Sequence, residues 1–514
     1  MLRLAWRRGL CVVAAGAVAI FPGEAGQAER QAAPSIPRPT TTPQVRPQAP
    51  LRQLAADLGA LTAADGVKRG VWGVLVYSLD RRQRLFELNP NAMLVPASIA
   101  KLVTAASAYE AVGWEFRFDT TVWATGPVVD GTLEGDLVVV GSGDPSIESR
   151  GGGGLDEWVG ALKDLGIRRI AGRIVGDDDA VEDPRPALAW AWDDLGYPTG
   201  ALFGALNAAE NRLVVTISPG AKVGEPAGLS VEPEAAHRPL INRTVTSPTA
   251  APQQLWAEQR PAETALTIAG RIRTGAKPVR LGISAGNPTQ WFAGLLRHRL
   301  VQGGIAVDGP AIDVDDAQPR PIRDGATRLF THWSPPLREL IKPMLKDSVN
   351  LYGEALMRLN SGPGALPTND AALEGLAERF AAWGVPPDAQ QLIDGSGLSR
   401  RDAVSPEALL TVLQRMYDST GTSPFMQALP IAGVDGSLAN RMRDTLAARN
   451  LRAKTGTMSN IRTLAGYVTT LDGERLALVV MVNNFEGTGV QALAAIDAIA
   501  VRLASFSRTV PASN

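Results

Sequence analysis

Three short clusters hold the residue types of nucleophilic acyl chemistry: Ser98-Ile99-Ala100-Lys101, Ser348-Val349-Asn350 and Lys454-Thr455-Gly456. A serine and a lysine three positions apart on a helix share a face, so Lys101 Nζ can lie beside Ser98 Oγ. The surrounding stretch, "VPASIAKLVTAASAYEAVG", carries Ala, Leu and Val on nearly every side, which predicts a buried helix. Burial disfavours an ammonium and lowers its pKa. The resulting amine can take the serine proton as the hydroxyl attacks a carbonyl. A place near the helix N-terminus adds free backbone N–H groups for a developing oxyanion. A lysine that snorkels to solvent is the competing reading of Lys101 taken alone.

Order and rarity decide between the two. The chain has only eight lysines, so a Ser-x-x-Lys pair and a Lys-Thr-Gly tripeptide are each uncommon. Ser-x-Asn recurs freely and gains weight only from its position between the other two. The sequence after "LRAKTG" is rich in β-formers, which puts Lys454 on an edge strand. There its charge and the hydroxyls of Thr455 and Thr457 suit a substrate carboxylate. Ser348 and Asn350, expected at a loop-to-helix junction, can pass a proton to a leaving amine and fix a substrate amide.

These residues need a scaffold. Strands are expected in "GVWGVLVYSLD" and "QRLFELNP", ahead of the serine-bearing helix. Near the end, Asp472-Gly473 between two apolar runs signals a hairpin, and "VQALAAIDAIAVRLAS" reads as a closing amphipathic helix. Between residues 118 and 283 short strands alternate with Gly and Pro. The expected organisation is a mixed α/β (α+β) body over 51–117 and 284–514. A strand-rich insertion over 118–283 divides in two, with an inner part at about 207–269.

Residues 1–28 read as a cleaved secretory signal: Arg3, Arg7 and Arg8 precede an apolar run from Gly9 to Phe21. The run is short for a membrane span, so the mature chain is expected to have no transmembrane helix. The Arg7-Arg8 pair leaves general and twin-arginine export both open. Residues 29–50, rich in Pro and Thr, read as an extended tether. Cys11, the single cysteine, falls in the signal, so an exported chain without disulfides is expected, periplasmic or beyond. The balance of 51 basic and 52 acidic residues offers no footprint for nucleic acid. The three histidines, His237, His298 and His332, have no ligand-like spacing, so neither a metal nor another cofactor is expected.

At its three clusters the chain resembles the penicilloyl serine transferases, the fold of penicillin-binding proteins and serine β-lactamases. The long separation of Ser98 from Ser348 is similar to that in the low-molecular-mass class C penicillin-binding proteins, the penicillin-binding protein 4 type of D-alanyl-D-alanine carboxypeptidase/endopeptidase. "GDLVVVGSGDPSI", "IDGSGLSR" and "LPIAGVDGSL" agree with that group. The resemblance implies an exported serine DD-peptidase that cleaves peptidoglycan stem peptides and cross-links, with β-lactam antibiotics as covalent inhibitors. It implies Ser98 as nucleophile, Lys101 as base, Ser348 and Asn350 as relay and amide anchor, and Lys454 with Thr455, Gly456 and Thr457 at the substrate carboxylate. The oxyanion hole would be the N–H groups of Ser98 and Thr457. In "WAWDD" it implies Asp194, with Asp193 as neighbour, as the group that grips a diaminopimelate amine; Arg400 and Met458 would line that pocket. Asp194 has a turn cap as its plain alternative, Arg400 a buried ion pair, and Met458 ordinary packing. A serine β-lactamase and a non-catalytic wall-binding or β-lactam-sensing scaffold remain the alternative functions. The first would need an added glutamate for deacylation, which no segment supplies. The second would have no use for a nucleophile and its base. The oligomeric state is not legible.

Overall fold

The segment Arg475–Asn483 is almost wholly apolar and alternates between two cores, as a strand buried on both faces must. Leu476, Leu478, Val480 and Val482 join one cluster with Leu54, Leu58, Ile496, Ile499 and Leu503. Those partners lie on the helices Ala49–Thr62 and Gly489–Ala504. Ala477, Val479 and Met481 point the opposite way, into a cluster with Leu102, Val103, Leu340, Met344, Leu409 and Leu413. These come from the helices Ala100–Val112, Leu337–Lys346 and Pro406–Met416. Each fully buried Leu or Val side chain contributes roughly 1.5–3 kcal/mol. The body is therefore a sheet between two helical layers.

The sheet comprises β1 (Val71–Ser78), β2 (Gln83–Leu88), β3 (Arg452–Met458), β4 (Ile461–Thr469) and β5 (Arg475–Asn483). Its order is β2-β1-β5-β4-β3, every neighbouring pair antiparallel. The expected hairpin joins β4 to β5, and β3, which carries Lys454, is an edge strand as expected. This computed structural model describes residues 49–509 apart from 234–237, 261–262, 264, 322–323, 363, 419 and 421–422. The signal and nearly all of the tether, with Cys11, and also His237, lie outside the described residues. Among the described residues no helix is long and apolar enough to cross a membrane.

The inserted region differs in extent from the expectation. One five-stranded sheet orders Ala311–Asp313, Ile174–Asp177, Leu137–Val140, Asp119–Ala124 and Thr327–Trp333. Chain as late as Trp333 thus pairs with strands that open the insertion, so the return to the body falls near Leu337 and not at 284. Helix Pro288–Gln302 had read as body because an apolar pattern does not say which sheet it covers. Its Trp291, Phe292, Leu295 and Leu296 pack with Val122, Val139 and Ile174 of the insertion. The inner part builds two three-stranded sheets over 212–284, longer than the expected 207–269 because Leu266–Arg273 and Val279–Ser284 pair back onto earlier strands.

Candidate active site

The serine sits in a single 3₁₀ turn, Ala97–Ile99, that runs directly into helix Ala100–Val112. Ala97, just before it, adopts φ +49°, and Ser348 adopts φ +62°. Both are left-handed conformations that cost a residue with a side chain about 1–3 kcal/mol, and such costs concentrate at functional sites. Ser348 occupies the break, Asp347–Val349, between helices Leu337–Lys346 and Asn350–Met357. It is the loop-to-helix junction the sequence suggested.

Lys101 does not snorkel. It is completely buried, and Nζ donates to Ser98 Oγ (2.9 Å), Asn350 Oδ1 (2.7 Å) and the Ser396 carbonyl (2.6 Å). The three N–H groups of an ammonium are thereby all used. When the proton is lost, two of these bonds can remain and the lone pair can face the serine hydroxyl. Desolvation pulls the lysine down to about 8, against the nearby acids Asp394, Glu354 and Asp402, which favour its charge.

Lys454 Nζ donates to Ser348 Oγ (2.9 Å) and to the Thr455 carbonyl (2.8 Å). It too is completely buried, and desolvation first, then repulsion from Lys101, holds it well below its ordinary value. Gly456 has no room for a side chain: an added Cβ would meet Thr463 Oγ1 at 2.1 Å and the Pro96 carbonyl at 2.8 Å. That glycine lets β3 press against the serine-bearing turn. The three sequence clusters, distant in the chain, form one hydrogen-bonded group.

Other expectations need adjustment. Asn350 Nδ2 donates to the Thr199 carbonyl of the insertion (2.8 Å), so the amide expected to hold substrate already ties the insertion to the cleft. The Thr455 hydroxyl donates to Ser437 Oγ (2.7 Å), whereas Thr457 is exposed. Asp194 is half-buried, with its carboxyl raised by desolvation, then by Asp193, and lowered by Arg400. Among the described residues neither Asp194 nor Arg400 has a side-chain hydrogen bond or ion pair. Arg400 is exposed, so it is not a buried ion-pair partner. Met458 ends β3 opposite Ile461, half-buried.

A buried acidic group behind Lys101 was missed. Glu354 is pushed up to about 7 and Asp402 well above its ordinary value, in both cases by desolvation first and the neighbouring Asp394 next. Glu354 follows Asn350 by four positions on one helix, a spacing that could have revealed it. Asp402 left no comparable signal.

A serine and two buried lysines between a helix start and an edge β-strand, on a sheet covered by helices on both faces, belong to the penicilloyl serine transferase class of serine hydrolases. The family model described as "D-Ala-D-Ala carboxypeptidase 3 (S13) family" matches residues 54–506, and the chain belongs to that family. A D-alanyl-D-alanine carboxypeptidase of Actinomadura sp. (strain R39) is 31% identical over 471 residues, covering 89% of this chain and 85% of the relative. D-alanyl-D-alanine carboxypeptidase DacB of Haemophilus influenzae is 26% identical over 420 residues, covering 80% of this chain and 85% of its own. The crystal structure of penicillin-binding protein 4 from H. influenzae superposes with a TM-score of 0.74 at 26% identity, over 87% of this chain and 98% of that one. A second structure of that protein, complexed with a β-lactam, gives a TM-score of 0.70 at 24% identity over the same shares.

Proposed function

We propose that this D-Ala-D-Ala carboxypeptidase acts through an acyl-enzyme on Ser98, with Lys101 as the base. The single observation that carries the assignment is the contact of a buried, pKa-lowered Lys101 with Ser98 Oγ at 2.9 Å. With a midpoint near 8, roughly a tenth of the enzyme holds the neutral amine at neutral pH. That amine takes the Ser98 proton while Oγ bonds to the carbonyl carbon of the penultimate D-Ala. The oxyanion is received by the backbone N–H groups of Ser98 and Thr457. As the C–N bond breaks, the leaving amine gains a proton through Ser348, whose hydroxyl oxygen accepts from Lys454 Nζ. Water then opens the ester and restores the Ser98 hydroxyl.

Lys454, with Thr455, Gly456 and Thr457, receives the terminal carboxylate. Asp194, with Arg400 as its charged neighbour, receives the free amine of a diaminopimelate side chain, and Met458 is assigned to the same pocket. Cross-links ending in D-Ala–diaminopimelate present the same acyl bond, so the site serves as carboxypeptidase and endopeptidase. The β-lactam ring offers Ser98 an equivalent carbonyl. The N-terminal pattern supports export, and the substrate lies outside the cytoplasmic membrane.

Incubation with benzylpenicillin followed by intact-mass measurement tests this reading. A long-lived adduct is expected, located on Ser98 by digestion and absent from Ser98→Ala. Rapid drug turnover with no lasting adduct indicates a β-lactamase. Absence of both indicates a scaffold.

A further inference from the structure

The loop Asp394–Gly397 touches both the base and the inserted region. Ser396 accepts from Lys101 through its carbonyl, and its N–H donates to Glu354 Oε1 (3.0 Å). Gly395 accepts from Thr104 Oγ1 (2.7 Å), and Gly397, at φ +76°, lies where an added Cβ would stand 2.0 Å from the Ala97 carbonyl oxygen. The loop is therefore pressed against the serine-bearing turn. Its shape is held by Asp394, almost completely buried, whose carboxylate accepts from Gly397 N (2.6 Å) and Ser399 N (2.7 Å). One donor comes from outside the loop: the indole N–H of Trp190, at 2.7 Å from Oδ2. A second tie runs beside it, Ser399 Oγ donating to the Leu188 carbonyl at 2.7 Å. Leu188 and Trp190 belong to the inserted segment that carries Asp194.

We propose that Trp190 and Asp394 are positioning residues for Lys101, joining the segment that carries Asp194 to the catalytic base. This inference rests on the assignment of Lys101 made above and deepens it. The indole fixes one carboxylate oxygen, the carboxylate fixes the loop backbone, and the loop supplies one of the acceptors that aim the amine at Ser98 Oγ. Small misplacements of a reacting group are costly in rate. A substrate held at Asp194 loads the same segment, so its grip is felt at the base.

The charges facing Asp394 are Glu354 and Arg358 from helix Asn350–Met357 and its continuation, Asp402 from the end of its own loop, and Lys101; Lys454 in turn faces Lys101. Asp394 is the strongest of the acids that favour the Lys101 ammonium. Removing its charge makes the ammonium easier to deprotonate.

The experiment measures acylation by benzylpenicillin across neutral and alkaline pH for the full chain and two variants. Trp190→Phe keeps the ring and loses the donor. It is expected to lower the limiting acylation rate about tenfold, with half-saturation and pH midpoint unchanged. Asp394→Asn is expected to move the midpoint of the rising limb to lower pH, which a loop merely loosened would not do. A Trp190→Phe enzyme with the wild-type rate, or a folded Asp394→Asn enzyme with an unmoved midpoint, overturns the proposal. Should Asp394→Asn fail to fold, Trp190→Phe decides alone. Wild-type protein that forms no adduct removes the acyl-enzyme assignment and this proposal together; wild-type protein that acylates beside unaffected variants removes only the positioning pair.

Discussion

Around Lys101 three carboxyl groups, Asp394, Glu354 and Asp402, oppose the desolvation that would strip its proton. Around Lys454 only Asp347 favours the charge, and Lys101 works against it. Both side chains are completely buried, so burial alone would treat them alike. Their surroundings separate them. Lys101 is drawn down to about 8, a value that suits its proposed role as general base. Lys454 lacks that balance and is held well below its ordinary value. In the proposed reading a substrate carboxylate would favour the Lys454 ammonium and add an acceptor to the two that its Nζ already has.

The largest effect that distinguishes the two is expected from Lys101→Ala. With Lys101 as the proposed base, its loss should slow acylation about a thousandfold on every substrate, within the range of general-base contributions. Intact mass after timed exposure to penicillin reports it, with circular dichroism to check folding. Near-normal acylation of a folded Lys101→Ala enzyme would reverse the comparison and move the base to Lys454.

Lys454→Ala should be selective. Peptides with a free terminal carboxylate are expected to lose about a hundredfold in kcat/KM, the scale of a charge-assisted pair at a buried site. The same peptides with that carboxylate amidated should lose several-fold less. Binding of the free carboxylate should also draw in a proton, since an anion beside a lysine whose pKa is lowered favours its charged form. Calorimetry of a non-hydrolysed D-Ala-D-Ala analogue in two buffers of different ionisation heat would detect it. Equal losses on both substrates and no proton uptake would leave Lys454 as a proton relay only.

A third effect is smaller. Burial places Lys101 below its ordinary value, at about 8, and in the proposed mechanism the neutral amine is the reactive form. Acylation should therefore rise about fivefold from pH 7 to pH 8 and flatten above, the titration of a single base. A flat profile across that interval would mean that Lys101 is not the group titrating.

The same contrast explains what could be read from residues alone. The Ser98–Lys101 pair and the place of Lys454 on an edge strand were legible because short spacings mark them, and the hairpin into β5 because Asp472-Gly473 stands between two apolar runs. The surroundings that tune the lysines were not. Glu354, Asp394 and Asp402 converge from a helix and a distant loop, and an isolated acidic residue looks the same in sequence whether solvated or buried. Trp190 was visible only as part of "WAWDD", and its bond to Asp394 depends on how the insertion docks. The insertion's end was hidden for a related reason: helix Pro288–Gln302 is apolar enough to cover either sheet, and its packing against Val122, Val139 and Ile174, with the pairing of Thr327–Trp333 to Asp119–Ala124, shows which one it serves.

The smallest expected effect lies at the rim. Asp194 has no side-chain partner among the described residues, stands near Arg400 and is raised by desolvation, so it is a carboxyl with unspent hydrogen-bonding capacity. A diaminopimelate amine would stabilise its ionised form, whereas a substrate without that amine gains nothing from it. Asp194→Asn should therefore lower kcat/KM about threefold on peptides with the free amine and leave simple acylated peptides unchanged, the scale of one partly solvated ion pair. Because Trp190 lies on the same segment, the position of the loss is informative. A change in KM alone means that the rim only holds substrate, while a change in kcat means that the grip reaches Lys101 through Asp394. Equal losses on both peptides would take Asp194 out of recognition altogether and leave it as a turn residue.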